Sequence, residues 1–390
     1  MPAPSVPAGF PALGRPARRV RRLALALARS LAPEPERPET RLVATWGGAY
    51  EAAQRAAIFA PFEAETGVTV ETVRYDGGVD PLRAGALAGA DVVDMIRADA
   101  RVACAEGLIA PFDPAILAPA PDGTPAAADF EPGAAGPCWI AHLVFATVLA
   151  FDDRAFPGAK PETVADFFDL ARFPGRRALR DAPVGLLEWA LRSYGAPRSQ
   201  LYDLLSTERG LRLAFRRLER LRGEIVWWTG GEEAAELLAR GEVAMASGYN
   251  GRFFDARLRD GAPISVIWDT ALVERNVWAV PAEGADAALA ARFIRFATAP
   301  GRMAALAARM PYGPTRGSAE ARVGLHAEAG VPMRAHLPVG PRRDAETLDK
   351  DDAWYAATEA LRRRAFRAWR DRAPRRRRRA VRARRSRRWC

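Results

Sequence analysis

The chain offers little for covalent chemistry. Its three histidines, His142, His326 and His336, fall in no metal-ligand spacing. No GxSxG elbow and no Walker A lysine motif occurs, and lysine appears only twice, at 160 and 350. Cys104 and Cys138 have no histidine near them in sequence to activate a thiolate. What does recur is an aromatic residue followed by small ones. Trp46 precedes Gly47-Gly48, Trp228 precedes Thr229-Gly230-Gly231, Tyr249 precedes Asn250-Gly251, and Tyr312 precedes Gly313-Pro314-Thr315. Trp278, Tyr50 and Tyr75 belong to the same set of aromatics near strand ends. Aromatic faces attract cations by about 0.5–2 kcal/mol each, so a cleft walled by them would hold an amine. Glycines at 47 and 48 without a GxGxxG run or a following lysine read as clearance beside Trp46, not as a phosphate cradle. Among the acids near strand ends or first helical turns (Asp76, Asp99, Asp181, Glu188, Asp269, Glu274), Asp76 in "RYDGG" is the first choice for a ligand carboxylate.

The elements that would position these residues alternate. "RLVATW", "VTVETVRY" and "ADVVDMI" read as strands, with helices over 50–66, 79–88 and 99–107 between and after them. That βαβα order predicts an α/β fold with a mostly parallel sheet. A loop over 114–137 leads to "CWIAHLVFATVLAFDD", an apolar run long enough to cross between two lobes. Helices follow over 162–170, 183–194, 198–205 and 207–221. The strands "EIVWW", "EVAMASGY" and "ISVIW" come next, separated by helices at 231–240 and 251–260. "NVWAVP" reads as a separate, returning strand, and 351–370 as the closing helix. On the "EIVWW" strand neighbouring side chains alternate in direction. Trp228 is assigned to the cleft and Trp227 to packing.

At 390 residues the chain suits two lobes. The boundaries read as a basic leader over 1–40, a first lobe from 41–147 and 278–312, a second from 148–277 and 313–372, and an arginine-rich tail over 373–390. The net charge of +11 is unevenly spread: the first 40 residues carry +4, residues 361–390 carry +15, and the body between carries −8. Any nucleic acid or acidic surface would meet the tail rather than the body. The leader, "RRVRRLALALARSL", has the basic start of an export signal but an apolar stretch cut short by Arg29. Cys104 and Cys138 read either as a disulfide of an exported protein or as two buried thiols.

Three passages carry a family resemblance: "FAPFEAETGVTVETVRYDGG", "PETVADFFDLARFPGRRALR" and "VWWTGGEEAAELLARGEVAMASGYNGRFFDARLRDGAPISVIWD", with "ARMPYGPTRGSA" after them. They resemble, in order over 41–370, the periplasmic solute-binding proteins of spermidine/putrescine-type ABC importers. The resemblance implies a type II periplasmic-binding fold. It implies a monomer without cofactor, metal or catalysis, which passes a small solute to an inner-membrane permease. It places Trp46, Trp228 and Tyr249 as cleft aromatics and Asn276 where polyamine binders commonly carry Asp. Ala182 and Gly185 stand where second-lobe acids are expected. A branch of this family with "WGGAY" also has a matching cysteine pair, which implies a bond between Cys104 and Cys138. The full expected site is Trp46, Gly47, Gly48, Tyr50, Tyr75, Asp76, Trp228, Thr229, Tyr249, Asn250, Asn276, Trp278 and Tyr312. The competing readings are a nucleic-acid or acidic-surface binder acting through the tail and a two-lobed transferase.

Overall fold

The computed structural model describes residues 40–283, 285–340 and 347–372. The export-like leader and the arginine-rich tail lie outside them. The chain opens with β1 (Thr40–Thr45) and α1 (Gly48–Gln54), which runs through a π turn (Arg55–Phe59) into α2 (Ala60–Thr66). Then come β2 (Thr69–Arg74), α3 (Asp80–Arg83), β3 (Val92–Ile96) and α4 (Arg97–Ala105). The expected loop over 114–137 holds only the short α5 (Ala126–Asp129) and β4 (Ala135–Gly136) besides a 3-10 turn. β5 (Trp139–Asp152) follows, then α6 (Val164–Phe167), β6 (Arg177–Arg180), α7 (Leu186–Arg192), α8 (Leu201–Leu205) and α9 (Glu208–Leu218). Next are β7 (Ile225–Trp228), α10 (Glu233–Ala239), β8 (Met245–Tyr249), α11 (Asn250–Asp260) and β9 (Ile264–Ala279). The chain closes with α12 (Ala287–Ala297), α13 (Pro300–Ala307), β10 (Gly313–Pro314), α14 (Gly317–Glu320), β11 (Leu348–Asp349) and α15 (Asp352–Arg370).

The strands form one sheet in the order β2-β1-β3-β9-β5-β8-β6-β7. The outer strands pair in parallel, β1 with β2 and β3 on one side and β6 with β7 and β8 on the other. That is the βαβ order expected from the sequence. The middle is antiparallel: β9 pairs with β3 and, along most of its length, with β5. One apolar core gathers around β1, β3 and α12, and another around α7, α9 and α15. β5 and β9 run from one to the other.

β9 corrects the expectation of two strands, "ISVIW" and "NVWAVP". It is one strand of 16 residues, with Thr270 in the left-handed region at φ 59°. The polar stretch "DTALVERN" made it look interrupted. Glu274 and Arg275 are buried, and distant segments neutralise them. Glu274 pairs with Lys350, and Arg275 pairs with Glu131 and Asp349 at 2.8 and 2.7 Å. A buried ion needs such partners, since desolving it alone costs several kcal/mol.

Cys104 at the end of α4 is joined to Cys138 at the start of β5 by a disulfide, with Cα atoms 5.8 Å apart. The bond pins α4 to a central strand. Closing a 34-residue separation restricts the unfolded chain, by about 2–4 kcal/mol in the loop-entropy account. The double variant Cys104→Ala/Cys138→Ala should lose stability of that size. Urea unfolding with and without reductant checks this: the reductant should lower the midpoint of the parent protein only.

Candidate functional site

The carboxyl ends of β1, β3, β6 and β8 converge on the same region as Asn276, near the end of β9. In an open α/β sheet, ligands bind outside the carboxyl ends of strands. A cavity of about 340 Å³ lies there. Of the expected residues, Trp46, Tyr50, Asp76, Thr229, Tyr249, Asn276 and Tyr312 line it. Tyr249 stands edge-on to Phe145 at 5.9 Å, and Tyr312 edge-on to Tyr50 at 5.5 Å. Burial pushes the Tyr312 hydroxyl up to about 12, so it stays a neutral wall group.

Six expected residues do not line the cavity, for identifiable reasons. Trp228 is 1% exposed and packs behind Tyr249, 6.1 Å between centroids, so the ligand face falls to the tyrosine. Trp227 does pack, edge-on against Phe366 and Trp369. Trp278 is fully buried, stacked on His142 at 4.3 Å. Tyr75 supports Trp46 from behind at 5.3 Å and donates to the Gly78 carbonyl at 2.6 Å. Asn250 is a backbone clamp, accepting from Ala146 N at 3.0 Å and donating to the Pro311 carbonyl at 2.7 Å. Gly47 and Gly48 start α1 with φ of 72° and 63°, a region that favours glycine. A side chain at Gly48 would meet Glu232 and Arg252 at 2.9 and 3.1 Å. Clearance for the Trp46 ring comes instead from Gly77, whose missing Cβ would lie 3.0 Å from it.

Behind the aromatics lies a residue that the sequence reading passed over. Asp94 is fully buried on β3. Its Oδ2 accepts from the Tyr50 hydroxyl at 2.6 Å and Gln54 Nε2 at 2.7 Å, and its Oδ1 accepts from Asn276 Nδ2 at 2.7 Å. His142 Nε2 lies 3.3 Å from Oδ1. Burial, and then Asp94, holds the Tyr50 hydroxyl well above its ordinary value, so it remains a donor. The signal was present in "VVDMI": an acid inside an apolar strand must find donors. Asn276 spends its amide NH₂ on Asp94 and leaves Oδ1 buried without a partner, on a side chain that lines the cavity.

Asp76 apart, the charged walls were also missed. Arg74, Arg180 and Arg252 line the cavity with Asp76, Glu232 and Glu233. Most are committed. Arg74 pairs with Asp76 at 2.8 Å and Arg252 with Glu232 at 3.0 Å. Glu233 accepts from the backbone of Gly230 at 2.9 Å and Thr229 at 3.1 Å, and these bonds hold its carboxyl below the usual range. Arg180, at the end of β6, is different. It lies 5.8 Å from the Tyr249 ring and 5.9 Å from Trp228, and no carboxylate among the described residues pairs with it. The cavity thus presents an aromatic box and one free guanidinium, with the buried, unpartnered Asn276 Oδ1 in its wall. Arg180 would repel a second amine placed against it.

Among the described residues no group of His, Cys, Asp and Glu is arranged to hold a metal, and no helix is long and apolar enough to cross a membrane. Residues 57–333 match the model of a bacterial extracellular solute-binding protein family. The chain belongs to that family. It is 34% identical over 331 residues to the gamma-aminobutyric acid-binding protein of Pseudomonas aeruginosa, spanning 84% of this chain and 90% of the relative. Among solved structures it is similar to the PBP MotA of A. tumefaciens B6 in complex with glucopine, at 27% identity and TM-score 0.74, covering 85% and 99% of the two chains. An ABC transporter substrate-binding protein from Bradyrhizobium japonicum USDA 110 shows 29% identity and TM-score 0.73, with 85% and 99% covered. The fold is the two-lobed type II periplasmic-binding fold. The protein is the substrate-binding component of an ABC importer, working with a membrane permease, and is not an enzyme.

Placing Asp at 276 would put a second carboxylate against the fully buried Asp94. One of the pair would then have a raised pKa. A group whose folded pKa is raised stabilises below its unfolded pKa, and that contribution is lost as pH rises through the folded value. Asn276→Asp should therefore destabilise by about 3–5 kcal/mol near neutral pH, with partial recovery on acidification. Urea midpoints for parent and variant at two pH values read the difference.

Proposed function

We propose that this importer component captures a small zwitterion, an amine and a carboxylate separated by a short apolar chain, of which 4-aminobutyrate is the simplest form. The observation that carries the reading is the unpaired Arg180 in the same cavity as the unpartnered Asn276 Oδ1. A free guanidinium matches a carboxylate through two parallel charge-assisted hydrogen bonds. The Trp46, Tyr50 and Tyr249 faces take the ammonium, and Asn276 Oδ1 accepts one of its protons. The similarity to a gamma-aminobutyric acid-binding protein supports the same assignment.

A diamine lacks the group that Arg180 requires and brings a charge that Arg180 repels. On this ground the zwitterion is preferred over spermidine or putrescine. Capture proceeds by closure of two lobes, 41–147 with 278–312 and 148–277 with 313–372, about the long strands β5 and β9. Their bulged pairing, with register shifts near 142 and 148, gives the bend a place to occur.

Calorimetry tests the reading. 4-Aminobutyrate should bind, while putrescine and butyrate, each missing one end, should bind at least about a hundredfold more weakly, since a lost charge-assisted bond costs about 1.5–3 kcal/mol and a mispaired charge adds to it. Arg180→Met should abolish 4-aminobutyrate binding with an unchanged melting temperature. Putrescine binding as tightly as 4-aminobutyrate, or an Arg180→Met protein of undiminished affinity, would overturn the assignment.

A further inference from the structure

The cavity does not end at Trp46. A second chamber of about 280 Å³ adjoins it and shares four wall residues, Trp46, Asp76, Ile96 and Arg180. β9 furnishes both chambers from one face: Asn276 lines the first and Glu274, two residues away, lines the second. β11 delivers Lys350 beside Glu274, and α15 closes the far side with Tyr355. The first chamber alone sits at the small end of the roughly 300–1,000 Å³ typical of ligand pockets. The joined cleft has room for a larger solute.

The charges of the second chamber can be accounted for individually. Glu274 is neutralised by Lys350 and accepts from Thr147 Oγ1 at 3.1 Å. Asp76 is taken by Arg74, Asp80 by Arg83 and Glu359 by Arg363. Arg362 donates to Thr358 at 3.0 Å and to the Tyr355 carbonyl at 2.7 Å, with its guanidinium 4.0 Å from the Tyr355 ring centroid. Arg362 has no carboxylate partner among the described residues, but its guanidinium is taken up by these contacts. Arg180, at the junction with the first chamber, has neither an ion pair nor a side-chain hydrogen bond among the described residues, and among the acids Asp99, half-buried on α4, is left without an ion pair. Asp99 Oδ2 accepts from Gly78 N at 2.9 Å, and no cation among the described residues forms an ion pair with it. Its burial raises the carboxyl above its ordinary value, a cost that an arriving ammonium would relieve.

We propose that the second chamber is a subsite for an α-ammonium group, so that the solute is a diamino monocarboxylic acid with its carboxylate on Arg180, its α-amine at Asp99 and its terminal amine in the aromatic box. This rests on the zwitterion reading above and narrows its substrate class. The 4-aminobutyrate skeleton then fills only the first chamber. An amine on the carbon next to the carboxylate reaches the second.

The test compares 4-aminobutyrate with 2,4-diaminobutyrate and ornithine by calorimetry on the full chain. At least one diamino acid should bind about tenfold or more tightly than 4-aminobutyrate, the effect of one charge-assisted bond. Asp99→Asn should erase that gain and leave 4-aminobutyrate affinity unchanged. Because Asp99 also holds the Gly78 loop, Ala182→Phe provides an independent block from the facing wall, and should likewise weaken only the diamino acids. Equal affinity for the three solutes, or an equal loss for all of them in both variants, overturns the subsite while the zwitterion reading stands. Failure of all three to bind the parent protein overturns both.

Discussion

The site depends on satisfying one buried carboxylate. Asp94 sits dry in the middle of the sheet, where an ion without donors would cost several kcal/mol. Its donors come from different parts of the chain. Tyr50 and Gln54 lie one turn apart on α1, and Asn276 belongs to the long strand β9. His142, on β5, completes the surround. Meeting the needs of Asp94 therefore fixes the angle at which α1 leaves β1 and the register of β3 against β9. It also orients Asn276, whose amide NH₂ is spent behind the wall and whose carbonyl oxygen is left buried without a partner.

The aromatic walls follow from that frame. Tyr50 is fixed by its hydroxyl, and Tyr312 stands on Tyr50. Tyr312 packs over Gly251, where a Cβ would fall within 2.5 Å of its oxygen, so α11 can approach only with glycine there. Phe145 and Tyr249 continue the wall from the neighbouring strands β5 and β8. Buried ion pairs hold the residues of β9 next to Asn276 in the same way, with Lys350 on Glu274 and Glu131 and Asp349 on Arg275. Each pair ties the central strand to a segment distant in sequence. The two strands that join the halves of the molecule are held by polar contacts at their centres and by apolar cores at their ends.

Much of this was legible in the sequence, for local reasons. The strand-helix alternation was readable because period-two and helical apolar patterns are set by neighbours in the chain. Trp46, Tyr249 and Tyr312 could be placed at strand ends because glycines follow them. Trp228 looked equivalent to Trp46, and what separates them is three-dimensional: Tyr249 of the next strand but one covers Trp228, while Gly77 leaves Trp46 open. Asn276 looked like a lost charge. In the fold its amide, like that of Gln54, donates to Asp94, where a second carboxylate would be repelled.

The sequence by itself determined the elements, their order, the absence of a recognisable nucleophile and the aromatic character of the cleft, since each depends on residue type and short-range spacing. Only the tertiary structure decided which charges are free. Arg74, Asp76, Glu232, Glu233 and Arg252 are as charged in the sequence as Arg180 and Asp99. The difference is whether an opposite charge lies within hydrogen-bond reach or, for Glu233, two backbone donors against the single one at Asp99. Such pairing joins residues that the chain keeps far apart, as with Glu274 and Lys350. Composition could not reveal that a cleft expected to attract cations keeps one unpaired guanidinium at its centre.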